Sequence, residues 1–444
     1  MKPSMTTDPS LSKNEFDAVI AGAGIIGTSI AFALSQRSYR VLVVDPLAGA
    51  GQGATSGSLA MIRTQYSTLE GTALAWEGFH CWNDWKNFIG LTDNEPIAPF
   101  HRAGVLTFKT PNNDYLRHPL EFSKQLGIPF STWSLAKLQE VFPSWDFSTF
   151  GPPVISDHPN FGQSSKSTPE GIYFPCGGYC ADPQLAAKNL QRAAEKNGVV
   201  FYFNRGVSGI DLKDNQIRGV TLTDGTDLPC KILVNAAGPH AQDLITKAGL
   251  SGQQQIGTRV LRHQTVHINC PDSKSADGAK IMLYDTDIGS YMREDTGDAV
   301  LVGSLGAEGE YEDAVNPEGF DRNISPSAIE PLYRLAQRIP TMGIPNSISG
   351  LADLWDVSDD WIPIYDCTDV SGFYLSIGTS GNQFKTAPAA GQMMAALIDA
   401  CETGVLHDKQ PVRYRLPRTG HEISLGFFSR NREPNPASSL SVLG

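Results

Sequence analysis

The sequence lacks any hydrophobic run long enough to cross a membrane. Its apolar stretches are interrupted by glycine or a charged residue within a few positions, well short of the ~18 residues that a spanning helix requires. The first 15 residues are polar, contain prolines and lack the apolar centre of a secretion signal. We therefore expect a cytoplasmic protein without a membrane span.

An excess of positive charge is also missing. The chain has 47 acidic and 35 basic residues and a formal net charge of -12, so general attraction for nucleic acid or an anionic membrane is not expected. A small anionic substrate would have to be captured by local cations. Oligomeric state is left open by these data.

Cysteine is sparse, with seven residues spread from Cys81 to Cys401. An odd, scattered set is typical of reduced thiols rather than a disulfide framework. Cys176 and Cys180 are close in sequence, but no histidine lies near them, so no metal site is predicted.

The chain is rich in glycine, with 43 residues among 444 and a hydrophobic content of 41%. A single core rarely grows beyond ~250–300 residues. These values predict a well-packed, enzyme-like body of two or three domains, or one interleaved body, with many tight turns.

A dinucleotide-binding unit is predicted near the start. Residues 16–45 read FDAVIAGAGIIGTSIAFALSQRSYRVLVVD, which is a buried strand, a glycine turn, a helix and a second buried strand. Gly22, Gly24 and Gly27 form the GxGxxG turn that brings a pyrophosphate to the helix start. Asp45 closes the second strand, where an acid can accept hydrogen bonds from a ribose. The motif does not separate FAD from NAD.

Several later segments resemble the D-amino-acid-oxidase-like FAD family, most closely its sarcosine-oxidase branch. The resemblance covers about residues 16–404, and its pieces stand in the same order along the chain. They are GAGIIG, GATSGSLAMIR, GGYCADPQ, NAAGPHA, SYMREDTGDAVLVGS, DDWIPIYD and SGNQFKTAPAAG.

The resemblance implies an α/β fold in which a Rossmann-like FAD-binding domain is interleaved with an α+β substrate domain that contains a large mixed sheet. The FAD-binding domain would comprise residues 16–80, 172–250 and 350–410, and the substrate domain residues 81–171 and 251–349. Residues 1–15 would be a polar N-terminal tail. Residues 411–444 would be a C-terminal tail, to which we assign no function from the sequence.

The resemblance also implies which residues hold FAD. The pyrophosphate would lie on the glycine turn with Ala237 and Gly238 beside it, and the ribose at the end of the second strand. The flavin would lie beside the segment 54–61, and the adenine beside the backbone of Val207. A closing loop would cover the flavin ring. The residues are Gly22, Gly24, Ile26, Gly27, Asp45, Pro46, Ala54, Thr55, Ser56, Met61, Val207, Ala237, Gly238, Gly381, Asn382, Gln383, Phe384, Lys385 and Thr386.

Arg63 and Lys385 match the arginine and lysine that bind the substrate carboxylate in the sarcosine-oxidase branch. A guanidinium offers a planar fork to two oxygens and an ammonium offers a point charge. The alternatives are a surface ion pair for Arg63 and a charge serving only the flavin for Lys385. Tyr66, His263 and Tyr291 are candidates for pocket walls or hydrogen-bond donors.

Three positions depart from the family pattern. The cysteine that carries flavin covalently in monomeric sarcosine oxidases is absent before Asp360, which favours noncovalent FAD. A lysine expected near Leu301 for the reaction with oxygen is absent, so oxidase and dehydrogenase remain alternatives. Trp355 stands where glycine and D-amino-acid oxidases carry a carboxylate-binding arginine.

The function implied is an FAD-dependent oxidation of a C–N bond in a small secondary amino acid, such as sarcosine or an N-carboxymethyl amine. The oxidation would proceed by hydride transfer to flavin N5, and water would then hydrolyse the imine. O2 would be the favoured electron acceptor and would give H2O2. One alternative is a D-amino-acid or imino-acid dehydrogenase that reduces a quinone or a carrier protein. Another is a flavin-bearing assembly subunit without catalytic turnover.

Overall fold

The structure of the protein is a computed structural model that describes residues 16–92, 94–110, 116–165, 167–310 and 313–442. Its strands, numbered in chain order, are β1 (Ala18–Ala21), β2 (Val41–Asp45), β3 (Met61–Ile62), β4 (Phe100–Arg102), β5 (Gly104–Lys109), β6 (Ser131–Trp133), β7 (Glu170–Phe174), β8 (Gly178–Cys180), β9 (Val200–Phe203), β10 (Val207–Lys213), β11 (Gln216–Leu222), β12 (Asp227–Pro229), β13 (Ile232–Asn235), β14 (Thr258–Asn269), β15 (Ile281–Asp285), β16 (Ser290–Glu294), β17 (Ala299–Ser304), β18 (Asp313–Ala314), β19 (Ser349–Ser358), β20 (Ile364–Cys367), β21 (Phe373–Ile377), β22 (Arg413–Arg415) and β23 (Glu422–Ser424).

The helices are α1 (Ile25–Ser35), α2 (Leu69–Asn83), α3 (Trp85–Ile89), α4 (Arg117–Gln125), α5 (Leu135–Val141), α6 (Pro183–Lys196), α7 (Ala241–Lys247), α8 (Glu330–Arg338) and α9 (Ala387–Glu402). Within the described ranges, none of them has both the length and the apolar character needed to span a bilayer.

The predicted strand–turn–helix–strand unit forms the centre of a six-stranded sheet with the order β20-β21-β13-β1-β2-β9. All neighbours are parallel except β20 and β21. Both faces of the sheet are covered, which explains the continuous apolar runs in β1 and β2. Ala18 and Ile20 point into a core with α1, α6 and α9. Val19 and Ala21 point to the other face.

A three-stranded antiparallel sheet, β10-β11-β12, covers that second face together with α7. Residues 223–225 form the turn between β11 and β12, as their sequence predicts. Helix α6 begins where predicted because Asp182 caps it by accepting a hydrogen bond from the Leu185 amide (2.8 Å) and Pro183 occupies its first turn.

The second large element is a nine-stranded mixed sheet. Its order is β18-β14-β17-β16-β15-β5-β7-β6, and β19 pairs with β14 off this path. Strands β15 and β5 are parallel, and the other pairs are antiparallel. The parallel and mixed sheets together confirm the predicted fold class. Strand β19 pairs with β14 and extends the mixed sheet to Ser358. The domain boundaries that the resemblance implies remain predictions.

Alternation along the strands of the mixed sheet separates two cores. Leu283 and Met292 pack against α8 on one face. Tyr284 and Tyr291 lie on the other face in a cluster with Met61. Since the side-chain period of a strand is two, the same strands supply both the structural core and one wall of the site described below.

The chain after residue 404 is built onto this body. Strands β22 and β23 form a hairpin, and Leu416, Ile423, Leu425 and Phe428 are buried in the core that contains α1 and α9. Residues 429–442 then run along the turn between β19 and β20, where Arg432 binds Asp360.

Candidate flavin and substrate site

The glycine turn predicted to hold a pyrophosphate lies at the carboxyl end of β1. Gly22 has φ +109°, and a Cβ there would lie 2.3 Å from the carbonyl oxygen of Ala236, so the turn requires glycine. A Cβ on Gly27 would lie 1.9 Å from the carbonyl oxygen of Gly22. Gly24 is the N-cap residue of α1 and has no side chain of its own to cap it. The first turn of α1, which includes Ile26, therefore offers its positive end to a ligand.

Asp45 is held at the end of β2 by two backbone amides. Its Oδ2 accepts a hydrogen bond from Ala23 N (2.7 Å), and its Oδ1 accepts one from Leu47 N (2.8 Å). Burial raises the pKa of this carboxyl group. Pro46 follows on the surface. Each carboxylate oxygen keeps lone-pair capacity for a further donor such as a ribose hydroxyl.

The residues predicted beside the pyrophosphate and adenine lie along the same region. Ala237 and Gly238 follow β13, and Gly238 has φ +54° with open space at its Cβ position. Val207 is buried at the start of β10, and its carbonyl oxygen accepts a hydrogen bond from Lys247 Nζ (3.3 Å). Strands β1, β2 and β13 are parallel neighbours, so their carboxyl ends form one crevice of the kind where such sheets bind ligands.

The segment 54–61 leaves this crevice toward the mixed sheet. Thr55 Oγ1 accepts a hydrogen bond from Ile25 N (3.0 Å) and ties the segment to the start of α1. Ala54 is partly buried, whereas Ser56 is exposed and donates from Oγ to the carbonyl oxygen of Gly53 (2.9 Å). The two ends of the segment thus join the predicted pyrophosphate and flavin regions.

The far end of that segment is anchored to the mixed sheet. The hydroxyl of Tyr284 contacts Met61 Sδ at 3.6 Å. Arg293 is buried and its Nε donates to the carbonyl oxygen of Leu59 (2.8 Å). Ala60 has φ +49°, a left-handed conformation that a non-glycine residue adopts at some cost in free energy. The surroundings therefore hold this segment in one conformation.

The predicted closing loop is buried and tightly packed. Gly381 has φ +63°, and a Cβ there would lie 2.5 Å from the Trp355 indole. Phe384 stacks on Trp82 with ring centroids 5.0 Å apart. The remaining loop residues are buried and bond to one another or to Tyr365 and Tyr66; they are Asn382, Gln383, Lys385 and Thr386.

Arg63 and Lys385 converge on one aromatic ring. The Arg63 guanidinium carbon lies 4.3 Å from the Tyr66 ring centroid, and Lys385 Nζ lies 5.2 Å from it. Lys385 Nζ also donates to Tyr66 Oη (3.0 Å) and to the carbonyl oxygen of Asn382 (2.5 Å). Arg63 is 1% exposed and Lys385 is 4% exposed. The alternative of a surface ion pair for Arg63 is therefore wrong.

Neither cation has an acidic partner among the described residues. Arg63 donates to the carbonyl oxygens of Gln65 and Val442, and its Nε has no partner there. Burial and the positive charge of Arg63 hold the pKa of Lys385 well below its usual range. Two buried cationic groups without a counter-ion provide a site suited to an anion.

His263, Tyr291 and Trp355 form an aromatic wall next to these cations. His263 stacks on Trp355 with centroids 3.7 Å apart, and its Nε2 lies 3.0 Å from Tyr291 Oη. Tyr291 lies 5.8 Å from Tyr284, whose ring is 5.4 Å from the Arg63 guanidinium. Burial lowers the pKa of His263 to about 3. The imidazole is therefore neutral at ordinary pH.

Sequence reasoning missed three residues of this region. Tyr284 contacts both Met61 and Arg63, Trp361 packs with Trp355, and Val442 contacts Arg63. Alternation in residues 281–285 indicates that Tyr284 shares a face with Met282, but not which ligand that face meets. Nothing in the composition of residues 429–442 indicates that Val442 reaches Arg63.

One group of side chains in the described ranges has metal-ligand spacing: Asp366, Cys367 and Asp408. Arg430 donates to Asp366 Oδ2 (3.0 Å) and to Asp408 Oδ2 (2.8 Å). The group is therefore an ion-pair network around a buried guanidinium.

The parallel sheet with its glycine turn and Asp45 defines a dinucleotide-binding protein, and the glycine turn at the start of α1 fits a pyrophosphate. The chain belongs to the FAD dependent oxidoreductase (DAO) family, whose model matches residues 17–397. Its cofactor is FAD. The resemblance inferred from the sequence segments is confirmed.

Individual relatives are distant but cover most of the chain. Glycine oxidase of Geobacillus kaustophilus is 22% identical over 407 residues, which is 88% of this chain and 94% of the relative. N-methyl-L-tryptophan oxidase of Yersinia pestis is 22% identical over 388 residues, 86% of this chain and 94% of the relative. L-proline dehydrogenase from P. horikoshii has the same fold, with a TM-score of 0.73 at 19% identity over 94% of this chain and 97% of that structure.

Proposed function

We propose that the chain oxidises the C–N bond of a small secondary amino acid, such as sarcosine or an N-carboxymethyl amine, with O2 as electron acceptor and H2O2 as product. The observation that carries this proposal is the pair Arg63 and Lys385, buried against Tyr66 without an acidic partner in the described residues. Such a pair suits the carboxylate of an amino acid.

Arg63 supplies the oriented part of the carboxylate site. Its guanidinium lies over the Tyr66 ring and near the Tyr284 ring, which restricts its movement, and its Nε is free to donate among the described groups. A guanidinium held in one plane can direct two N–H groups toward two carboxylate oxygens. This orientation fixes the position of the substrate α-carbon.

Lys385 supplies a proton acceptor as well as a charge. Its pKa is lowered by burial and by Arg63, so Nζ can be neutral before substrate binds. An amino acid arrives as an ammonium, and we propose that its proton moves to Lys385 Nζ. The substrate amine then becomes neutral, as C–N oxidation requires, and the new Lys385 ammonium pairs with the carboxylate.

FAD, when bound, supplies the acceptor for the hydride equivalent that leaves the substrate carbon. The contribution of the chain is to position and shield the substrate. The closing loop and the stacked Trp355 and His263 rings exclude water from the carboxylate site. Because His263 is neutral, it can stay in this wall without attracting the substrate carboxylate. We also propose that FAD is held noncovalently.

A dehydrogenase that passes electrons to a quinone or carrier is the second candidate. It is favoured by Leu301, which stands where a lysine for the oxygen reaction is expected. The fold shared with L-proline dehydrogenase is compatible with it. However, Leu301 pairs across the sheet with Arg293, a buried cation that contacts Leu59 and keeps positive charge near the predicted flavin position.

The test is an anaerobic titration of FAD-loaded protein with sarcosine, N-methylated amino acids, iminodiacetate, glycine and D-alanine, followed by flavin absorbance. Bleaching by secondary but not primary amino acids supports the proposal. Amide derivatives of the same amines are the matched control, because they lack the carboxylate. No bleaching by any amine would overturn it and leave the assembly-subunit alternative. Peroxide formation in air, compared with dye reduction without air, separates oxidase from dehydrogenase.

A further inference from the structure

Residues 432–442, here called the C-terminal strap, cross from the parallel sheet to the substrate site. The strap begins at a strong anchor, where Arg432 donates from Nε to Asp360 Oδ2 (2.9 Å) and from Nη2 to Asp360 Oδ1 (2.7 Å). Asp360 is fully buried and Arg432 is 9% exposed on its side chain. A buried two-point ion pair of this kind holds the start of the strap in place.

The end of the strap lies in the carboxylate site. The carbonyl oxygen of Val442 accepts a hydrogen bond from Arg63 Nη2. The Val442 side chain is 8% exposed and packs in a cluster with Leu261, Val357 and Trp361. An oxygen of the protein therefore occupies one of the guanidinium positions that a substrate carboxylate would use.

The contacts between these two ends are weaker than the anchor. Ser438 Oγ donates to the carbonyl oxygen of Asp360 (2.5 Å), and Ser439 N donates to Ser67 Oγ (3.2 Å). Leu440 is 61% exposed and has φ +51°. A branched aliphatic residue in the left-handed region is strained, so this part of the strap would relax if the end of the strap left Arg63.

We propose that the C-terminal strap is an internal ligand of the carboxylate site: the Val442 carbonyl holds Arg63 in the free enzyme, and a substrate carboxylate displaces residues 438–442 while Arg432 keeps its anchor on Asp360. This inference rests on the proposed function, because it takes Arg63 as the group that binds the substrate carboxylate.

The chemistry of the exchange favours acids. A carbonyl is a neutral acceptor, whereas a carboxylate makes stronger, charge-assisted bonds with a guanidinium. A carboxylate can therefore displace the strap, whereas a neutral analogue of the same shape cannot. The strap thus keeps Arg63 covered until a ligand that binds the guanidinium strongly enough to displace it is present.

Because the strap covers Arg63 in part of the protein molecules, the apparent affinity for a ligand equals its intrinsic affinity multiplied by the uncovered fraction. A chain ending at Asn435 keeps Arg432 and the Asn435 amide contact with Asp360 but lacks the part that reaches Arg63. We expect this FAD-loaded variant to bind acetate more tightly than the full chain, by about tenfold, when flavin absorbance is followed. Acetamide, the neutral isostere, lacks the charge and should bind both chains much more weakly than acetate.

Two point variants keep the test independent of truncation. Val442→Ser removes apolar contacts with the cluster of Leu261, Val357 and Trp361 without adding a charge near Arg63, and it should tighten acetate binding in the same direction as the truncation. Leu440→Ala alters an exposed side chain of the same strap and should leave acetate binding unchanged. Amide exchange of residues 438–442 should accelerate when acetate is added to the full chain, and not when acetamide is added.

The outcomes separate the two proposals. If Arg63→Ala weakens acetate binding but the truncated chain and Val442→Ser bind acetate no more tightly than the full chain, the strap proposal is wrong and the carboxylate site stands. If Arg63→Ala leaves acetate binding unchanged in both the full and truncated chains, the carboxylate site itself is wrong, and the strap proposal fails with it.

Discussion

Lys385 Nζ donates a hydrogen bond to Tyr66 Oη across 3.0 Å, although the two residues are 319 positions apart in the sequence. The same ring lies 4.3 Å from the Arg63 guanidinium. One tyrosine therefore supports two cationic side chains in a buried site. Burial, together with repulsion from Arg63, lowers the pKa of Lys385 and disfavours its charged form until an anion is present.

Arg63→Ala should weaken binding of a carboxylate substrate. The loss of a charge-assisted hydrogen bond is worth about 1.5–3 kcal/mol, so KM should rise roughly 10- to 150-fold. Arg63→Lys keeps a charge without the planar fork and should recover only part of the loss. Steady-state kinetics with an amino acid and with its amide measure the effect. Equal losses for both substrates would show that Arg63 does not bind the carboxylate.

Lys385 should take up a proton when a carboxylate without an amine binds. In the free protein its pKa is well below the usual range, and acetate should favour the ammonium form. Sarcosine carries its own ammonium proton, so its binding should show no net uptake. Calorimetry at pH 8 in two buffers with different ionisation enthalpies distinguishes these results. Lys385→Met should abolish uptake with acetate, and uptake that persists in this variant would assign the proton to another group.

The same lowered pKa has a consequence for stability. An unfolded lysine binds a proton below about pH 10.4, whereas folded Lys385 stays neutral to a lower pH. The unfolded chain therefore binds more protons in that interval, and the free energy of unfolding falls as pH decreases through it. Lys385→Met should lose this component, so its free energy of unfolding from urea denaturation should fall less than that of the parent as pH decreases from about 10.

Much of the cofactor region could be predicted from the sequence because its parts are local. Gly22, Gly24 and Asp45 lie within one strand–helix–strand unit, where spacing alone determines their relative positions. Tyr284 and Val442 could not be predicted in the same way. The place of Tyr284 depends on which face of the mixed sheet meets the segment 54–61, and that of Val442 on the path of a polar segment without periodicity.

Gly22→Ala should abolish FAD binding or folding. A Cβ at this position would lie 2.3 Å from a backbone carbonyl oxygen, and φ of +109° is unfavourable for alanine. Gly209→Ala is the matched control, because a Cβ there meets only Thr221 at an ordinary contact distance of 3.5 Å. Retained flavin per mole of purified protein is the measurement. Full flavin content in the Gly22→Ala protein would contradict the assigned turn.

His263 should contribute to acid sensitivity but not to the pH profile of the reaction. Burial lowers its pKa to about 3, whereas an unfolded histidine titrates near pH 6.5. The unfolded chain therefore binds more protons between these values, and stability is lost progressively as pH falls from about 6.5 toward 3.

His263→Phe keeps a ring against Trp355 and removes this titration. Its urea midpoint should fall less than that of the parent between pH 7 and pH 4.5, while the shape of kcat/KM against pH from 6 to 9 stays the same. A profile that loses an ionisation near pH 6–7 in His263→Phe would show that the imidazole is charged during turnover.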